Sequence, residues 1–363
     1  MLFVDRVGQY TAKWSQQYDR QVGDELEQAQ CPGTSGYLLD IQDNCDQIYT
    51  GPQLRYQLTT QEQQKIALTL LRLHLSSFIR SIVSNEIIRY YNDNTDRFLK
   101  FGHGGDSLAI HRAVWAEGVE DRRQAMNYVN SRIAEGVRGG DPGKVLDIGC
   151  GVGGSMLYLA AKTSAQITGV TISPHQAQTG QKLMEAAGCS DRCSIIPGDF
   201  LNMEMVRRLS PPFDAAYAIE SFLHMPGAEG FFEQAARLLA PGAPLIICDD
   251  FLAVDGNRSD RNRKRSRLIR RFTRGWQVHS LYTPSDLEAV AKTWGFQLTS
   301  RDDLTPFLEL NRLRDLFIRI LVGLLGWLPL HSPFWNNLLG GDSLQRLLLR
   351  GDLRYLLFYF KKT

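Results

Sequence analysis

Short apolar runs alternate with amphipathic stretches through the middle of the chain. The runs are bounded by turn-forming residues, as expected for strands that are buried on both faces. The stretches between them repeat apolar residues at three- and four-residue steps, which predicts helices. This alternation is typical of a parallel sheet with helices on both faces. The predicted strands are Val145–Ile148, Gln166–Val170, Ser194–Pro197, Phe213–Ile219 and Pro244–Asp249.

The pattern continues with one more helix and two more strands. A Thr-Pro-Ser-Asp sequence is a start signal for a helix over Thr283–Thr293. Apolar and aromatic residues predict strands over Phe296–Arg301 and Arg354–Phe360. The sequence therefore predicts a Rossmann-like α/β fold with a seven-stranded, mostly parallel sheet. The predicted helices of the sheet region are Ser155–Lys162, Pro174–Ala187 and Glu229–Leu239.

Helical patterns flank the sheet on both sides. Upstream, apolar residues recur at helical spacing over Thr60–Tyr91, and Arg122–Gly136 is amphipathic. His111 and Trp115 are four residues apart, and we expect them on one face of another helical stretch. Downstream, the Leu-rich segment Leu304–Arg350 indicates helices with apolar faces. We predict four parts, namely a mostly helical cap over 1–140, a Rossmann-like core over 141–303, a helical lid or insertion over 304–350 and the last core strand over 351–363.

Composition limits where in the cell the protein is expected and what it is expected to bind. Hydrophobic residues make up 43% and charged residues 22%, as in an ordinary globular protein, and the net charge of +2 argues against a nucleic-acid partner. The six cysteines lack the spacing of metal ligands or of a disulfide framework, which indicates free thiols in a reducing compartment. The N-terminus has no basic start followed by an apolar core, so we predict a cytoplasmic protein.

One segment of the insertion suggests contact with a lipid surface. It reads LFIRILVGLLGWLPLHSPFW and holds roughly 15 strongly apolar residues, too few to span a bilayer. We interpret it as a lid over a lipophilic pocket or as an interfacial anchor at the membrane periphery, while a plain core or dimer face remains an alternative. Association into a homo-oligomer is part of that alternative.

A glycine-rich turn at Lys144–Gly154 is the strongest chemical signal. The segment KVLDIGCGVGG is a buried strand that ends at Asp147 and runs into a turn with Gly149, Gly151 and Gly153. Glycine allows backbone to approach a ligand closely, and the helix that follows presents unpaired N–H groups to that ligand. In a doubly wound sheet this is the cofactor-binding position.

The residues at the ends of strands two and three indicate which type of cofactor the turn binds. Dinucleotide folds place an acidic residue about 20 positions after the glycines, but here the second strand ends GVTISPHQ, without an acid. The third strand ends PGDF, where Asp199 is suited to accept a hydrogen bond from an adenine amino group and Phe200 to lie against the ring. Binding of NAD is therefore disfavoured.

These motifs together resemble class I S-adenosylmethionine (SAM) dependent methyltransferases. The motifs are VLDIGCGVGG, GVTISPHQ, PGDF, AIESFLHM and ARLLAPGAPL, in this order. GVTISPHQ resembles the branch that includes sterol, tocopherol and cyclopropane fatty acid enzymes, and YYNDNTDRFLKFGHG is similar to a motif that precedes the core in sterol and prenyl-diphosphate C-methyltransferases. The resemblance implies SAM as cofactor, with Asp147 and Gly149 at its methionine part and Gly151 and Gly153 giving close backbone approach.

The same resemblance implies how the other end of SAM is held. Ile172, Ser173 and Gln176 would lie by the ribose, in place of the acid used by other branches. Asp199 and Phe200 would hold the adenine. Because the motifs are intact, we favour an enzyme over a non-catalytic SAM-binding subunit.

The acceptor is expected to be a small lipophilic molecule, and C-methylation of an isoprenoid or related precursor is favoured over O- or N-methylation. Methyl transfer to an alkene leaves a carbocation, which aromatic faces stabilise and which a base must deprotonate. Glu220, implied to lie beside the sulfonium, and His224 are the candidate bases. Cyclopropane-type lipid modification at a membrane is an alternative. The candidate aromatic faces are Tyr90, Tyr91, Trp115 and Phe222.

Two groups of charged residues bear on whether the acceptor is anionic, and neither decides it. Asp249 and Asp250 follow the fifth strand and could hold a divalent metal, although a structural or acceptor-contact role is favoured. Arg270 and Arg271 lie in the basic run RSDRNRKRSRLIRRFTRGW at helical spacing. They could recognise a diphosphate or another anion, dock on an anionic membrane, or lie on a solvated helix face.

Overall fold

The computed structural model describes residues 111–138, 143–253, 262–326 and 332–363, together with Ile88 and Thr95. All of them belong to one structural unit, Leu75–Thr363. Apart from Ile88, the helix predicted over Thr60–Tyr91 lies outside the described residues, as do Tyr90 and Tyr91 with the roles predicted for them. The predicted boundaries of the four parts stay a prediction.

One sheet of seven strands runs through the described region, in the spatial order β3-β2-β1-β4-β5-β7-β6. Neighbours from β3 to β5 are parallel, whereas β7 is antiparallel to both β5 and β6. The predicted Rossmann-like, seven-stranded, mostly parallel sheet is therefore confirmed. The strands are β1 Lys144–Ile148, β2 Gln166–Thr171, β3 Cys193–Pro197, β4 Ala215–Ile219, β5 Pro244–Leu252, β6 Phe296–Asp303 and β7 Leu353–Lys362.

Helices follow most of the strands and cover both faces of the sheet. Two short 3-10 helices, Phe222–His224 and Thr305–Phe307, follow β4 and β6. The α-helices are α1 Arg122–Arg138, α2 Gly154–Lys162, α3 Pro174–Ala186, α4 Met203–Val206, α5 Ala228–Leu238, α6 Asn262–Gly275, α7 Pro284–Thr293, α8 Leu313–Leu325 and α9 Pro333–Leu349.

The sheet is buried on both faces, and its central strands consist mainly of apolar residues. All five residues of AAYAI in β4 except the last are buried, and β5 is buried from its second residue to its eighth. Phe231 and Phe232 of α5 pack on one face together with Leu287 of α7. Ile133 of α1 and Leu159 of α2 pack on the other face. Mainly apolar strands of this kind are what the helices on both sides require.

The order of the strands creates a crevice between β1 and β4. The chain leaves β1 toward β2 on one side, and β4 lies on the other side of β1. In open α/β sheets ligands bind beyond the carboxyl ends of the strands at this reversal. The Gly-rich turn after β1 and Glu220 after β4 both lie there.

The helical prediction for His111 and Trp115 is wrong. This segment is extended, and Val114 forms an isolated antiparallel bridge with Leu308. The backbone N–H of Trp115 donates to the carbonyl of Phe307 at 2.7 Å. The backbone groups thus pair with a distant segment, and tertiary pairing overrides the local four-residue spacing.

The predicted insertion forms α8 and α9 and leads into β7, so the helical character of this segment is confirmed. No helix within the described ranges is long and apolar enough to cross a membrane.

Candidate active site

The turn after β1 needs glycine for two different reasons. Gly149, Gly151 and Gly153 all have left-handed backbone, with φ of 86°, 57° and 82°. A Cβ on Gly149 would lie 2.3 Å from the Cβ of Ser221, so the loop after β4 packs directly on the turn. A Cβ on Gly153 would lie 2.3 Å from the Met184 methyl carbon. Gly153 therefore serves close packing of α2 against α3, and the cofactor contact implied for it stays a prediction.

We expect Gly149→Ala to cost more stability than Gly118→Ala, although both glycines have nearly the same φ, 86° and 81°. Each alanine suffers left-handed strain of about 1–2 kcal/mol. Nothing lies within 4 Å of a Cβ on Gly118, whereas Gly149→Ala must also displace Ser221, which adds about 1–3 kcal/mol. Urea denaturation of both variants measures the difference. Equal losses would show that the packing of Ser221 against the turn is not tight.

Asp147, near the end of β1, is a buried carboxylate with unused hydrogen-bonding capacity. Its side chain is 2% exposed, and its Oδ2 atom has no hydrogen-bond partner. Burial raises the pKa of Asp147 to about 7, and the neighbouring Tyr217 hydroxyl partly offsets this effect. A buried hydrogen-bond acceptor without a partner destabilises the folded protein, so such groups are rare. A ligand donor at this position, such as an amino group, would satisfy it.

The carboxyl end of β2 offers a second unsatisfied group. The hydroxyl of Thr171 donates to Gln176 Oε1 at 2.7 Å, and Ser173 Oγ accepts from the Gln176 backbone N–H at 3.1 Å as the N-cap of α3. Gln176 Nε2 is buried and has no partner. The amide therefore keeps donors for ligand hydroxyls. Ile172 is half-buried beside it.

After β3, Asp199 and Phe200 have local structural contacts. Asp199 Oδ1 accepts from the backbone N–H of Leu201 at 2.9 Å, which fixes the carboxylate at the start of the loop. Phe200 is only 4% exposed, and its ring centroid lies 5.8 Å from that of Phe231 in the core. The adenine contacts implied for these two residues stay predictions.

Glu220 follows β4 and is held in an unusual conformation. Its φ is 48°, a region that non-glycine residues seldom adopt. Its Oε1 atom accepts from the backbone N–H of Arg112 at 3.0 Å and from the Tyr355 hydroxyl at 2.8 Å. The next residue, Ser221, donates its hydroxyl to the Ile148 carbonyl at 2.5 Å, which ties the loop to the end of β1. Backbone strain that surrounding contacts maintain is common at functional sites.

A buried ion pair between Arg112 and Asp250 lies next to Glu220. Arg112 Nη1 donates to Asp250 Oδ1 at 2.8 Å, Nη2 donates to Oδ2, and the guanidinium lies 4.6 Å from the centre of the Tyr355 ring. Burial lowers the pKa of Arg112, but the charges of Asp250 and Glu220 outweigh it and raise that pKa well above its usual value. Arg112 therefore stays charged, and its side chain joins β5, β7 and the loop after β4.

Arg112 and Tyr355 are absent from the sequence-based predictions. One signal could have pointed to a cation: Asp250 lies within an otherwise apolar strand, and buried carboxylates need a charged or hydrogen-bonded partner. The sequence does not identify which of its many arginines provides that partner.

Asp249 and Asp250 have separate protein partners, which agrees with the favoured structural role, and the metal binding considered for them stays a prediction. Consecutive residues of a strand point to opposite faces of the sheet. Asp250 faces Arg112, whereas Asp249 Oδ2 accepts from the backbone N–H of Leu223 at 3.0 Å. Within the described ranges no group of three or more His, Cys, Asp or Glu side chains could hold a metal ion.

His224 ends the 3-10 helix after β4 and is a neutral base candidate. Its Nδ1 lies 3.0 Å from the carbonyl oxygen of Gln277. Because a carbonyl can only accept, Nδ1 carries the proton and Nε2 has the basic lone pair. Burial lowers the pKa of His224 to about 4, so the ring is neutral at physiological pH.

The low pKa of His224 predicts a specific acid sensitivity. A histidine of the unfolded chain takes up a proton near pH 6.5, whereas His224 in the folded chain does so only near pH 4. The free energy of unfolding should therefore fall by about 2–3 kcal/mol as pH drops from 6.5 to 4. In His224→Asn this contribution should disappear, as measured by urea denaturation across that range. An unchanged pH slope in the variant would contradict the prediction.

The remaining predicted residues lie in different surroundings. Trp115 is 36% exposed, whereas Phe222 is 1% exposed and packs against Phe231, Phe251 and Tyr282 in the core. Arg270 of α6 is exposed.

Arg271, also on α6, has a structural partner. Its Nη2 donates to the Gly326 carbonyl at 2.9 Å, at the end of α8. The acceptor contacts proposed for Trp115, Phe222, Arg270 and Arg271 stay predictions.

Comparison with known proteins agrees with this geometry. Residues 145–242 match the family model described as "Methyltransferase domain". The chain is 32% identical over 232 residues to the sterol 4-C-methyltransferase strm-1 of Caenorhabditis elegans, which covers 64% of this chain and 63% of that protein. It is 34% identical over 195 residues to 24-methylenesterol C-methyltransferase 3 of Arabidopsis thaliana, which covers 54% of this chain and 47% of that protein. The chain thus spans only about half to two thirds of these relatives.

Solved structures share the fold. The cyclopropane synthase MmaA2 of Mycobacterium tuberculosis has a TM-score of 0.61 at 19% identity, covering 76% of this chain and 98% of that one. A geranyl diphosphate methyltransferase in complex with GPP and sinefungin has a TM-score of 0.59 at 16% identity, covering 77% and 98%. The chain therefore shares the fold of these structures, and its residues 145–242 match a methyltransferase domain.

Proposed function

We propose that this protein transfers a methyl group from SAM to a carbon atom of a small lipophilic, isoprenoid-type acceptor. The observation that carries the proposal is the Glu220 carboxylate, which is fixed by two hydrogen bonds beside the cofactor turn. C-methylation of an alkene needs a base that removes a proton, and a positioned carboxylate can serve. The two sterol C-methyltransferase relatives, at 32% and 34% identity, support this acceptor class.

The residues at the end of β1 and β2 fit SAM. The unsatisfied Oδ2 of Asp147 can accept from an amino group, and the unsatisfied Nε2 of Gln176 can donate to a ribose hydroxyl. Bound SAM supplies an electrophilic methyl group on a sulfonium.

Residues of the chain then remove the proton that the methylated acceptor must lose. The alkene carbon would form its new bond to the methyl group as the methyl–sulfur bond breaks, with that electron pair kept by sulfur as a neutral thioether. The acceptor then carries the positive charge as a carbocation, and Glu220 removes a proton from the adjacent carbon to restore the alkene. Both described hydrogen bonds of the carboxylate are to Oε1, from Arg112 and Tyr355. We propose that Oε2 takes the proton. The guanidinium of Arg112 lies 3.8 Å from Oε1.

The main alternative is transfer to oxygen or nitrogen with His224 as base. Such an acceptor already carries a lone pair and needs only deprotonation, for which a neutral imidazole is suitable. The two alternatives differ in which residue is essential. Under C-methylation Glu220→Gln abolishes turnover and His224→Asn retains it, and the reverse result would favour the alternative.

A screen with labelled SAM tests the function and the acceptor together. Prenyl diphosphates, sterols, quinones and phospholipids are offered separately, each with and without Mg²⁺, and Asp147→Asn is the low-affinity control. We expect label in a sterol or prenyl product, and mass spectrometry then places the methyl group on carbon. Label in phospholipids alone would favour cyclopropane-type modification. Failure to bind SAM in calorimetry would reject methyl transfer altogether.

Arg270 gives a test of the acceptor's charge. If the acceptor is a prenyl diphosphate, Arg270→Gln should raise its KM about tenfold or more with kcat little changed, because a charge-assisted hydrogen bond contributes about 1.5–3 kcal/mol. Arg123→Gln, on exposed α1 surface, is the matched control. Steady-state kinetics measures both. An unchanged KM for a diphosphate acceptor would exclude Arg270 from binding it.

A further inference from the structure

Helix α8 exposes its apolar side chains. Leu313, Leu316, Phe317 and Ile320 are 88%, 49%, 66% and 55% exposed. Their spacing of three and four residues places them on one side of the helix, here called the α8 apolar face. Exposed single hydrophobic residues are common, but an aligned set of large ones marks an interaction surface.

The acids of this region point inward instead. Asp315 is the only acid of α8 and Asp342 the only acid of α9, and each is 5% exposed. Asp315 Oδ2 lies 3.1 Å from Arg312 Nε, and Asp342 Oδ2 lies 2.8 Å from Arg346 Nε. On α8, therefore, large apolar side chains are exposed and the acid is buried, which is the opposite of an ordinary surface helix. Neither helix presents an exposed carboxylate.

Helix α6 adds dense positive charge to the same helical unit. Seven of its 14 residues are Arg or Lys and none is Asp or Glu, in a chain whose total net charge is only +2. Lys264, Arg267 and Arg274 are exposed. The link to α8 is direct, because Arg271 Nη2 donates to the Gly326 carbonyl at the end of α8. Apolar and basic surfaces thus belong to helices that are joined by a hydrogen bond.

We propose that α8 and α6 form a docking surface for a bilayer that contains anionic lipid. The α8 apolar face enters the boundary between headgroups and acyl chains, and the cations of α6 lie against the anionic headgroups. Helix α8 has 13 residues, which suits a helix lying in the interface rather than crossing the bilayer. The benefit of docking rests on the proposed function: a lipophilic acceptor is most concentrated in the membrane, so docking would bring the protein to its acceptor.

Charge favours a lipid surface over a second copy of the chain. A two-fold interface brings the same patch of both copies together. Contact through α8 would bring the basic helix α6 of each copy toward the other, with no exposed acid on α6, α8 or α9 to neutralise it. An anionic membrane supplies the missing negative charge.

Vesicle flotation with the full chain tests the docking surface without using activity. We expect binding to vesicles of phosphatidylcholine with about a third phosphatidylglycerol at least tenfold stronger than to phosphatidylcholine alone. Phe317→Glu with Ile320→Glu should abolish binding, whereas Met203→Glu, at another exposed apolar residue, should not. Arg267→Gln with Arg274→Gln should weaken binding about tenfold or more, since each cation near an anionic surface contributes a factor of about five. Arg123→Gln with Arg207→Gln should leave binding intact.

The outcomes separate this proposal from the proposed function. No flotation of the wild-type chain, or full flotation of Phe317→Glu with Ile320→Glu, would overturn the docking surface. A dimer in light scattering that this double variant disperses, without vesicle binding, would assign the α8 apolar face to a second copy. SAM binding by calorimetry and methyl transfer to a detergent-solubilised acceptor should be unchanged in the double variant. Their failure in the wild-type chain would instead count against the proposed function.

Discussion

Glu220→Gln is expected to lower kcat by a factor of about 10²–10⁴ while the Kd for SAM changes by no more than a few-fold. The amide keeps the size of the side chain and can still accept from Arg112 and Tyr355 through its oxygen. It cannot take up the proton that the acceptor must lose. Single-turnover kinetics with labelled SAM measures the chemical step, and calorimetry measures cofactor affinity.

Two further variants show whether the effect belongs to the base. Tyr355→Phe removes one donor to Oε1 and retains the ring under Arg112, so we expect a smaller loss of kcat, about tenfold. Glu229→Gln changes an exposed carboxylate on α5 and should leave kcat unchanged. Retention of half or more of the wild-type turnover in Glu220→Gln would place the base elsewhere, with His224 the next candidate.

Arg112→Met is expected to destabilise the fold by about 3–5 kcal/mol, because it leaves the Asp250 carboxylate buried without its cation. The two side chains are 17% and 0% exposed, so water cannot replace the lost partner. Urea denaturation gives the free energy of unfolding directly. A loss below about 1 kcal/mol would show that Asp250 is protonated or hydrated in the folded chain.

The double variant Arg112→Met with Asp250→Leu gives a sharper comparison. Removing both charges replaces a buried ion pair with apolar contacts, so we expect most of the lost stability to return. Turnover should not return, because the Arg112 guanidinium also lies near Glu220. As a surface control, Arg122→Met breaks a pair with Glu309 whose side chains are 43% and 34% exposed, and should cost no more than about 1 kcal/mol.

The sheet and the cofactor turn were predictable because their signals are local. A strand buried on both faces is expected to be mainly apolar, and β1, β4 and β5 are, with Asp147, Asp249 and Asp250 as the buried acids. The left-handed backbone at Gly149 is equally visible, because few residues other than glycine tolerate it. The position of Glu220 after β4 also follows from a local motif.

The support behind Glu220 could not be predicted because its parts are far apart in the chain. Arg112 lies 138 residues before Asp250. Tyr355 lies 135 residues after Glu220. Periodicity does not report which side chains meet across a sheet. The same limit explains the error at Trp115, whose backbone pairs with Phe307 rather than within a helix.

Strand β7 is the last strand in chain order, yet it lies inside the sheet between β5 and β6. Because β6 pairs with no other strand of the sheet, it has no place to dock until β7 has been synthesised. The hydroxyl partner of Glu220 arrives on the same strand. A growing chain can therefore assemble β1 to β5, with the glycine turn, well before the carboxylate beside it is held. Vectorial synthesis thus separates the formation of the glycine turn from the completion of the hydrogen bonds to Glu220.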